Sequence, residues 1–105
     1  MKVIIMGCGR VGEQVSRRLD EKGHEVAVIH DDEEVIERLG PRFGGKIIIG
    51  VGFDRDILLR AGIEHADAFA ATSPSDNANI VASQIARNIY HVPRVVARLY
   101  DPGRE

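Results

Sequence analysis

The sequence predicts an α/β domain in which helices cover both faces of a parallel sheet. The first observation is a regular alternation of short apolar runs, typical of buried strands, with segments of helical periodicity. The second is a glycine-rich turn placed directly between the first apolar run and the first helical segment. Because parallel crossovers lay helices over the sheet, we predict a doubly wound parallel sheet with strand order 3-2-1-4-5 in a single domain.

The expected elements are bounded by turn residues. Glycine or proline follows most helical segments, as is common at helix ends. Asp101 and Pro102 resemble the start of a further helix, so we expect the chain to be the first lobe of a longer protein. The predicted strands are 2–6, 25–29, 46–49, 68–71 and 94–99, and the predicted helices are 10–22, 32–39, 54–61 and 74–90.

The turn after the first strand has the spacing GxGxxG. Gly7 permits a tight turn, Gly9 lets backbone N–H groups approach a pyrophosphate, and Gly12 lets the helix lie close to the sheet. A phosphate placed there also meets the positive end of the helix dipole. This strand, turn and helix predict a Rossmann-type fold with a phosphate-binding site in the turn.

Other residues of the turn and the first helix have more than one interpretation. Cys8 is expected to be a small filler rather than a redox group. Arg10 can clamp phosphate through its guanidinium, or it can point at a partner subunit. Val11, Val15 and Leu19, at i, i+4 and i+8, predict a helix directly after the turn.

A carboxylate that holds the ribose hydroxyls is expected at the end of the second strand. His30 occupies that place here, and Asp31 and Asp32 follow it. We therefore expect weakened ribose binding, or ribose binding by Asp31 instead. The alternative is that His30 accommodates a 2′-phosphate, which the adjacent acids disfavour. Asp32 also suits the positive N-terminus of the next helix.

The loop after the third strand lies at the same edge of the predicted sheet, where an adenine ring belongs. Residues 50–54 form this loop, with Val51, Gly52 and Phe53 at its centre, and the side chains of Val51 and Phe53 offer apolar or stacking contacts. Packing of the loop itself is an equally good explanation for both of them.

The segment after the fourth strand adds polar groups to this edge. Ala71, Thr72 and Ser73 bring two hydroxyls toward the cleft, although Ser73 is better explained as the N-cap of a helix that has Pro74 at its first position. Arg98 is a charged residue near the end of the fifth strand, so we expect it to lean into the cleft or into an interface.

Composition limits the function. A chain of 105 residues is too short for a cofactor domain plus a separate catalytic domain, and a net charge of -2 without a basic stripe argues against a nucleic-acid partner. One cysteine and no apolar run of about 20 residues favour a cytoplasmic protein without membrane insertion. The 4 histidines have no metal-site spacing and no nucleophile motif is present, so we expect no enzyme activity.

Several stretches beyond the glycine turn form a more specific pattern. They are Gly23–Val26, Asp54–Leu58, Ala61–Ala68, the set Thr72, Asp76, Asn77 and Asn79, and Arg94–Arg98. Together with the turn they resemble the nucleotide-binding lobe of Trk/Ktr-type potassium-uptake regulators, the RCK N-terminal or TrkA-N domain. The resemblance covers nearly the whole chain, so it implies that residues 1–105 are one such domain.

The resemblance implies a regulatory, gating subunit that binds NAD(H) or ATP, ADP or AMP. It also implies a homodimer, assembled into a ring beneath a membrane potassium channel or transporter on its cytoplasmic side. The phosphate-directed arginine of the family falls on Arg10, its ribose acid on His30, and its acid after the third strand on Val51. The last two are departures. The alternative function is the cofactor-binding lobe of an NAD(P)-dependent oxidoreductase.

Overall fold

The five predicted strands form one parallel sheet in the order 3-2-1-4-5, which confirms the predicted topology. The computed structural model describes residues 1–98. The strands are β1 (Lys2–Met6), β2 (Glu25–His30), β3 (Lys46–Ile49), β4 (Ala68–Ala71) and β5 (Arg94–Ala97). The helices are α1 (Arg10–Glu21), α2 (Glu34–Leu39), α3 (Arg55–Ala61) and α4 (Asp76–Asn88), with a short 3-10 helix at Ile63–His65 that the sequence did not predict.

The central strand β1 supplies side chains to both layers of the core, because successive residues of a strand point to opposite faces. Val3 and Ile5 pack with α1 and α2 on one face, while Ile4 packs with α3 and α4 on the other. Phe69 of β4 is among the largest fully buried side chains. Among residues 1–98, no helix combines the length and the apolar character that crossing a bilayer requires.

Several boundaries differ by one or two residues from the sequence prediction. β2 continues through His30, which is paired with Ile49 of β3. α2 begins at Glu34 rather than at Asp32, because Asp32 Oδ1 accepts the N–H of Glu34 at 3.0 Å and forms a local turn. α3 begins one residue late because Asp54 is its N-cap.

Of the three apolar residues that predicted α1, Leu19 alone packs against the core. Val11 and Val15 are 40% and 39% exposed, whereas Gly12 and Ser16 are buried. A Cβ on Gly12 would lie 2.5 Å from the carbonyl oxygen of Gly7, so α1 approaches the turn too closely for a larger side chain. The helix therefore packs on the sheet through small residues rather than through its valines.

The predicted N-cap of α4 is wrong. Ser75 is the cap, and its Oγ accepts the N–H of Ala78 at 3.2 Å. Ser73 instead donates its hydroxyl to Asn79 Oδ1 at 2.8 Å. α4 consequently runs over Asp76–Asn88 rather than 74–90.

The fifth strand ends at Ala97 within the described residues, one residue before Arg98. The predicted continuation of this strand to Leu99, and the helix start predicted at Asp101 and Pro102, lie outside the described residues.

Replacing Ser75 with alanine is expected to lower the free energy of unfolding by about 1 kcal/mol, because the N–H of Ala78 loses its acceptor. Ser83→Ala is the matched control on the same helix, since the buried Ser83 hydroxyl has no hydrogen-bond partner among residues 1–98. We expect the control to be neutral or slightly stabilising in urea unfolding monitored by circular dichroism. Equal losses in both variants would contradict the assignment of Ser75 as the cap.

Candidate nucleotide-binding site

A cleft of about 490 Å³ lies at the carboxyl ends of the strands, where the chain order of the sheet reverses between β1 and β4. This switch point is where open parallel sheets bind their ligands. The residues named from the sequence that line the cleft are Gly7, His30, Asp31, Asp32, Val51, Gly52, Phe53 and Ser73. The other lining residues are Met6, Ile29, Gly50, Pro74, Ser75 and Ala78.

A larger cavity of about 890 Å³ lies at the opposite edge, among the amino ends of the strands. Several of its charged groups already have partners: Lys2 Nζ lies 3.6 Å from the carboxylate of Glu25, and Asp67 accepts the backbone N–H of Lys2 at 2.7 Å. Ligands of parallel α/β sheets bind at the carboxyl edge, so we take the smaller cleft as the candidate site.

The three glycines of the turn meet different surroundings. Gly7 has φ +86°, and a Cβ there would lie 2.5 Å from the Cα and N of Ser73. Gly9 is the N-cap of α1 and has open space around the position of a Cβ. Within the described part of the chain no side chain caps α1, so the N–H groups of its first turn remain available to an anion. Gly7 and Gly12 therefore serve the fold, whereas Gly9 leaves room for a ligand.

Two side chains from other elements hold the backbone of Cys8. The Cys8 N–H donates to Nδ1 of His30 at 2.9 Å, and the Cys8 carbonyl accepts from Nη2 of Arg38 at 2.6 Å. Arg38 also lies 3.3 Å from the carboxylate of Glu34 and 3.8 Å from that of Glu13. The N–H of Cys8 is thus already bonded, so phosphate contact falls to the residues after it.

The Cys8 side chain is fully buried in the core layer beneath α1 and α2. Burial raises the pKa of its thiol to about 11, with a further rise from Glu13 and an opposing effect of Arg38. The thiol is therefore protonated at neutral pH, which agrees with the filler role predicted for it. Because the folded-state pKa is raised, this thiol lowers stability only as the pH rises above about 9, its ordinary pKa.

Two polar side chains lie at the end of β2, where ribose is expected, and one is largely buried while the other is exposed. The His30 side chain is 14% exposed and that of Asp31 is 80% exposed, with Nε2 of His30 lying 3.9 Å from Oδ1 of Asp31. Asp32 also borders the cleft, but one of its oxygens is bonded to the Glu34 N–H.

Two apolar side chains stand on the adenine side of the cleft. Val51 is 48% exposed and Phe53 is 46% exposed, and both follow the partly exposed edge strand β3. Gly52 between them lies against the side chain of Met6, which borders the same cleft. Exposed apolar surface inside a concave site is a good match for the faces of a flat aromatic base.

The remaining residues named from the sequence do not line the cleft itself. Ala71 is buried, and Thr72 Oγ1 donates to the carbonyl of Gly7 at 2.7 Å, which joins the end of β4 to the turn. Arg98 is exposed, and its backbone N–H donates to the carbonyl of Ala71 at 2.9 Å. The others are Cys8, Gly9, Arg10, Val11 and Gly12, which belong to the turn and to the start of α1.

The structural roles of Asn79 and Arg38 at the site were not predicted from the sequence. Asn79 is fully buried in α4, where it accepts from the N–H and hydroxyl of Ser73 and donates to the carbonyls of Ser73 and Arg98. Arg38 holds the Cys8 carbonyl. The only local pattern around Arg38 is its i,i+4 spacing from Glu34, which ordinarily indicates a surface ion pair.

The parallel sheet and the glycine turn at its switch point define the class of Rossmann-type nucleotide-binding domains. Within this class, the chain belongs to the TrkA-N domain family, because the family model for the TrkA-N domain matches residues 3–105. The resemblance found in the sequence is thereby confirmed.

Relatives from bacteria and archaea support the same assignment. The chain is 52% identical over 104 residues to the Trk system potassium uptake protein TrkA of Streptomyces coelicolor, covering 99% of this chain and 47% of the relative. It is 38% identical over 105 residues to a TrkA homolog of Pyrococcus abyssi, covering 100% of this chain and 46% of that protein. The chain thus spans about half the length of the curated relatives it matches.

Solved structures have the same fold. The AMP-bound form of the Kef CTD of Shewanella denitrificans matches with a TM-score of 0.82 and 26% identity, covering 96% of this chain and 60% of that one. The GsuK RCK domain matches with a TM-score of 0.73 and 25% identity, covering 90% of this chain and 20% of that one. The TrkA-N domain of Escherichia coli ybaL, at 20% identity, covers 97% of this chain and 75% of that one with a TM-score of 0.85.

Proposed function

We propose that this domain is the adenine-nucleotide-binding, regulatory part of a potassium-uptake system. The observation that supports the proposal most directly is the N-terminus of α1, which has Gly9 as its N-cap, has no side-chain cap among residues 1–98, and lies beside a cleft at the switch point of the sheet. The ligand belongs to one class, NAD(H) or the mononucleotides ATP, ADP and AMP. An AMP-bound neighbour with the same fold is consistent with that class.

In the proposed complex, each part of the ligand has its own surface. The phosphates meet the free N–H groups of the first turn of α1 and the guanidinium of Arg10. The ribose lies at the end of β2, and the adenine ring lies against Val51 and Phe53.

Regulation follows if the nucleotide binds two arrangements of the assembled protein with different affinity, since only differential affinity shifts an equilibrium between states. We propose a membrane potassium channel or transporter as the partner, with the domain on its cytoplasmic side as a homodimer or a ring of dimers. Trk system relatives and the GsuK RCK domain support this partner class. We further propose that residues 1–105 form one nucleotide-binding lobe and that a second lobe completes the protein.

Calorimetric titration of the 105-residue chain with NAD, NADH, ATP, ADP and AMP tests the proposal. We expect one site per chain and at least one nucleotide with a micromolar dissociation constant, roughly -8 kcal/mol. We expect no hydride transfer to or from NAD with small alcohols or hydroxy acids, because the cleft residues offer no catalytic constellation. Absence of binding by every nucleotide would overturn the proposal, and hydride transfer would favour the oxidoreductase alternative.

A further inference from the structure

The hydrogen bond between His30 and the glycine turn determines where the imidazole carries its proton. Nδ1 of His30 faces the Cys8 N–H at 2.9 Å, so this nitrogen is the acceptor of the bond. A neutral imidazole has one acceptor and one donor nitrogen. Nε2 is therefore the N–H donor of this side chain.

The donor nitrogen has no hydrogen-bond partner among residues 1–98. The nearest carboxylate oxygen, Oδ1 of Asp31, lies 3.9 Å from Nε2, which is beyond hydrogen-bonding distance. His30 and Asp31 both line the cleft. The end of β2 thus offers a ligand one N–H donor next to one exposed carboxylate acceptor.

We propose that His30 and Asp31 together bind the ribose of an adenosine nucleotide. Nε2 of His30 donates a hydrogen bond to one ribose hydroxyl, and the carboxylate of Asp31 accepts one from the other. This inference rests on the proposed function. A hydroxyl group both accepts and donates a hydrogen bond, so a vicinal diol satisfies the pair, whereas a carboxylate alone provides acceptors only.

The same pair determines which ribose is selected. A 2′-phosphate in place of the 2′-hydroxyl would bring added negative charge beside Asp31 and Asp32, and the neutral imidazole does not compensate it. A 2′-deoxyribose or 3′-deoxyribose would leave one member of the pair without its partner. The cleft is therefore specific for adenosine nucleotides with an unmodified ribose.

Two substitutions separate ribose binding from support of the turn. In His30→Asn the amide oxygen can replace Nδ1 as the acceptor for Cys8, but the side chain is too short to reach the position of Nε2. In His30→Gln the amide nitrogen can replace the Nε2 donor, while the acceptor for Cys8 is lost. His30→Asn therefore keeps the acceptor function of the histidine, and His30→Gln keeps its donor function.

We would measure the affinities of AMP, 2′-deoxy-AMP, 3′-deoxy-AMP, NAD and NADP for the wild type and both variants by calorimetry. We expect the wild type to prefer AMP over the weaker-binding deoxy analogue by about tenfold, and NAD over NADP by at least that factor. His30→Gln should keep the preference for the full ribose, and His30→Asn should lose it. Equal affinities for AMP and both deoxy analogues in the wild type would overturn the inference.

Nitrogen-15 NMR of the imidazole gives a test that needs no ligand. We expect Nε2 of His30 to be protonated at pH 8 and Nδ1 to be unprotonated and bonded to the Cys8 N–H. The opposite tautomer would overturn the inference while leaving nucleotide binding intact. If no adenine nucleotide binds the wild type at all, the proposed function fails, and the inference fails with it.

Discussion

Replacing Gly9 with alanine is expected to weaken adenine-nucleotide binding by roughly 100-fold, about 3 kcal/mol, without unfolding the domain. The new methyl group meets no protein atom within 4 Å, and Gly9 has φ -79°, which alanine adopts freely. The methyl group does occupy the space where a pyrophosphate approaches the N-terminus of α1. Calorimetry measures the loss of affinity, and thermal unfolding checks that the fold is kept.

Gly44→Ala is the matched control for this experiment. It adds the same methyl group at the opposite edge of the sheet, where the nearest atom is the carboxylate oxygen of Asp20 at 3.3 Å. We expect its nucleotide affinity to equal that of the wild type. If Gly9→Ala binds nucleotide as tightly as the control does, the phosphate site does not lie at this turn.

Replacing Gly7 with alanine is expected to lower the free energy of unfolding by about 3 kcal/mol. A residue with a Cβ is strained at φ +86°, which costs about 1 kcal/mol, and the Cβ would also lie 2.5 Å from the backbone of Ser73. The nearest atoms are the backbone Cα and N of Ser73, which cannot rotate away as a flexible side chain would. The turn and the start of the β4–α4 connection must therefore separate, at a further cost of about 2 kcal/mol. Urea unfolding measures the sum.

Gly23→Ala isolates the contribution of the backbone strain. Gly23 has φ +87°, nearly the same as Gly7, but a Cβ there meets nothing within 4 Å. We expect this variant to lose only about 1 kcal/mol. Equal losses at Gly7 and Gly23 would show that the contact with Ser73 relaxes without cost.

The sequence was sufficient for the sheet because the strands are short apolar runs separated by turn residues. The run Val3–Met6 is apolar on both faces, as a central parallel strand must be, and the glycine turn follows it directly. These two features indicate a doubly wound parallel sheet, for which 3-2-1-4-5 is a common strand order, with the cleft at the carboxyl ends of the strands. The location of the candidate site was accordingly predictable from local patterns.

Side-chain contacts between distant elements were not predictable in the same way. Val11 and Val15 fit the apolar periodicity of a helix, but the close approach of α1 to the turn requires the small residues Gly12 and Ser16 at the contact. Periodicity counts apolar character and does not measure the distance between a helix and a sheet.

The error at the start of α4 has a different cause. Ser73 was predicted as the cap because Pro74 follows it, but its hydroxyl is bonded to Asn79 and the Oγ of Ser75 accepts the N–H of Ala78 instead. Such bonds join parts of the chain whose spacing follows no local rule. The links from His30 and Arg38 to Cys8, which span 22 and 30 residues, were hidden for the same reason.

The buried amide of Asn79 has a mechanical consequence. Its Oδ1 accepts two hydrogen bonds from Ser73, at the rim of the cleft, and its Nδ2 donates to the carbonyls of Ser73 and of Arg98, the last described residue. All of the hydrogen-bonding capacity of the amide is therefore used. Displacing Ser73 or the carbonyl of Arg98 would leave a polar group stranded away from water, which is costly. We therefore expect Ser73 and the backbone at Arg98, directly after β5, to move together when a ligand displaces the rim of the cleft.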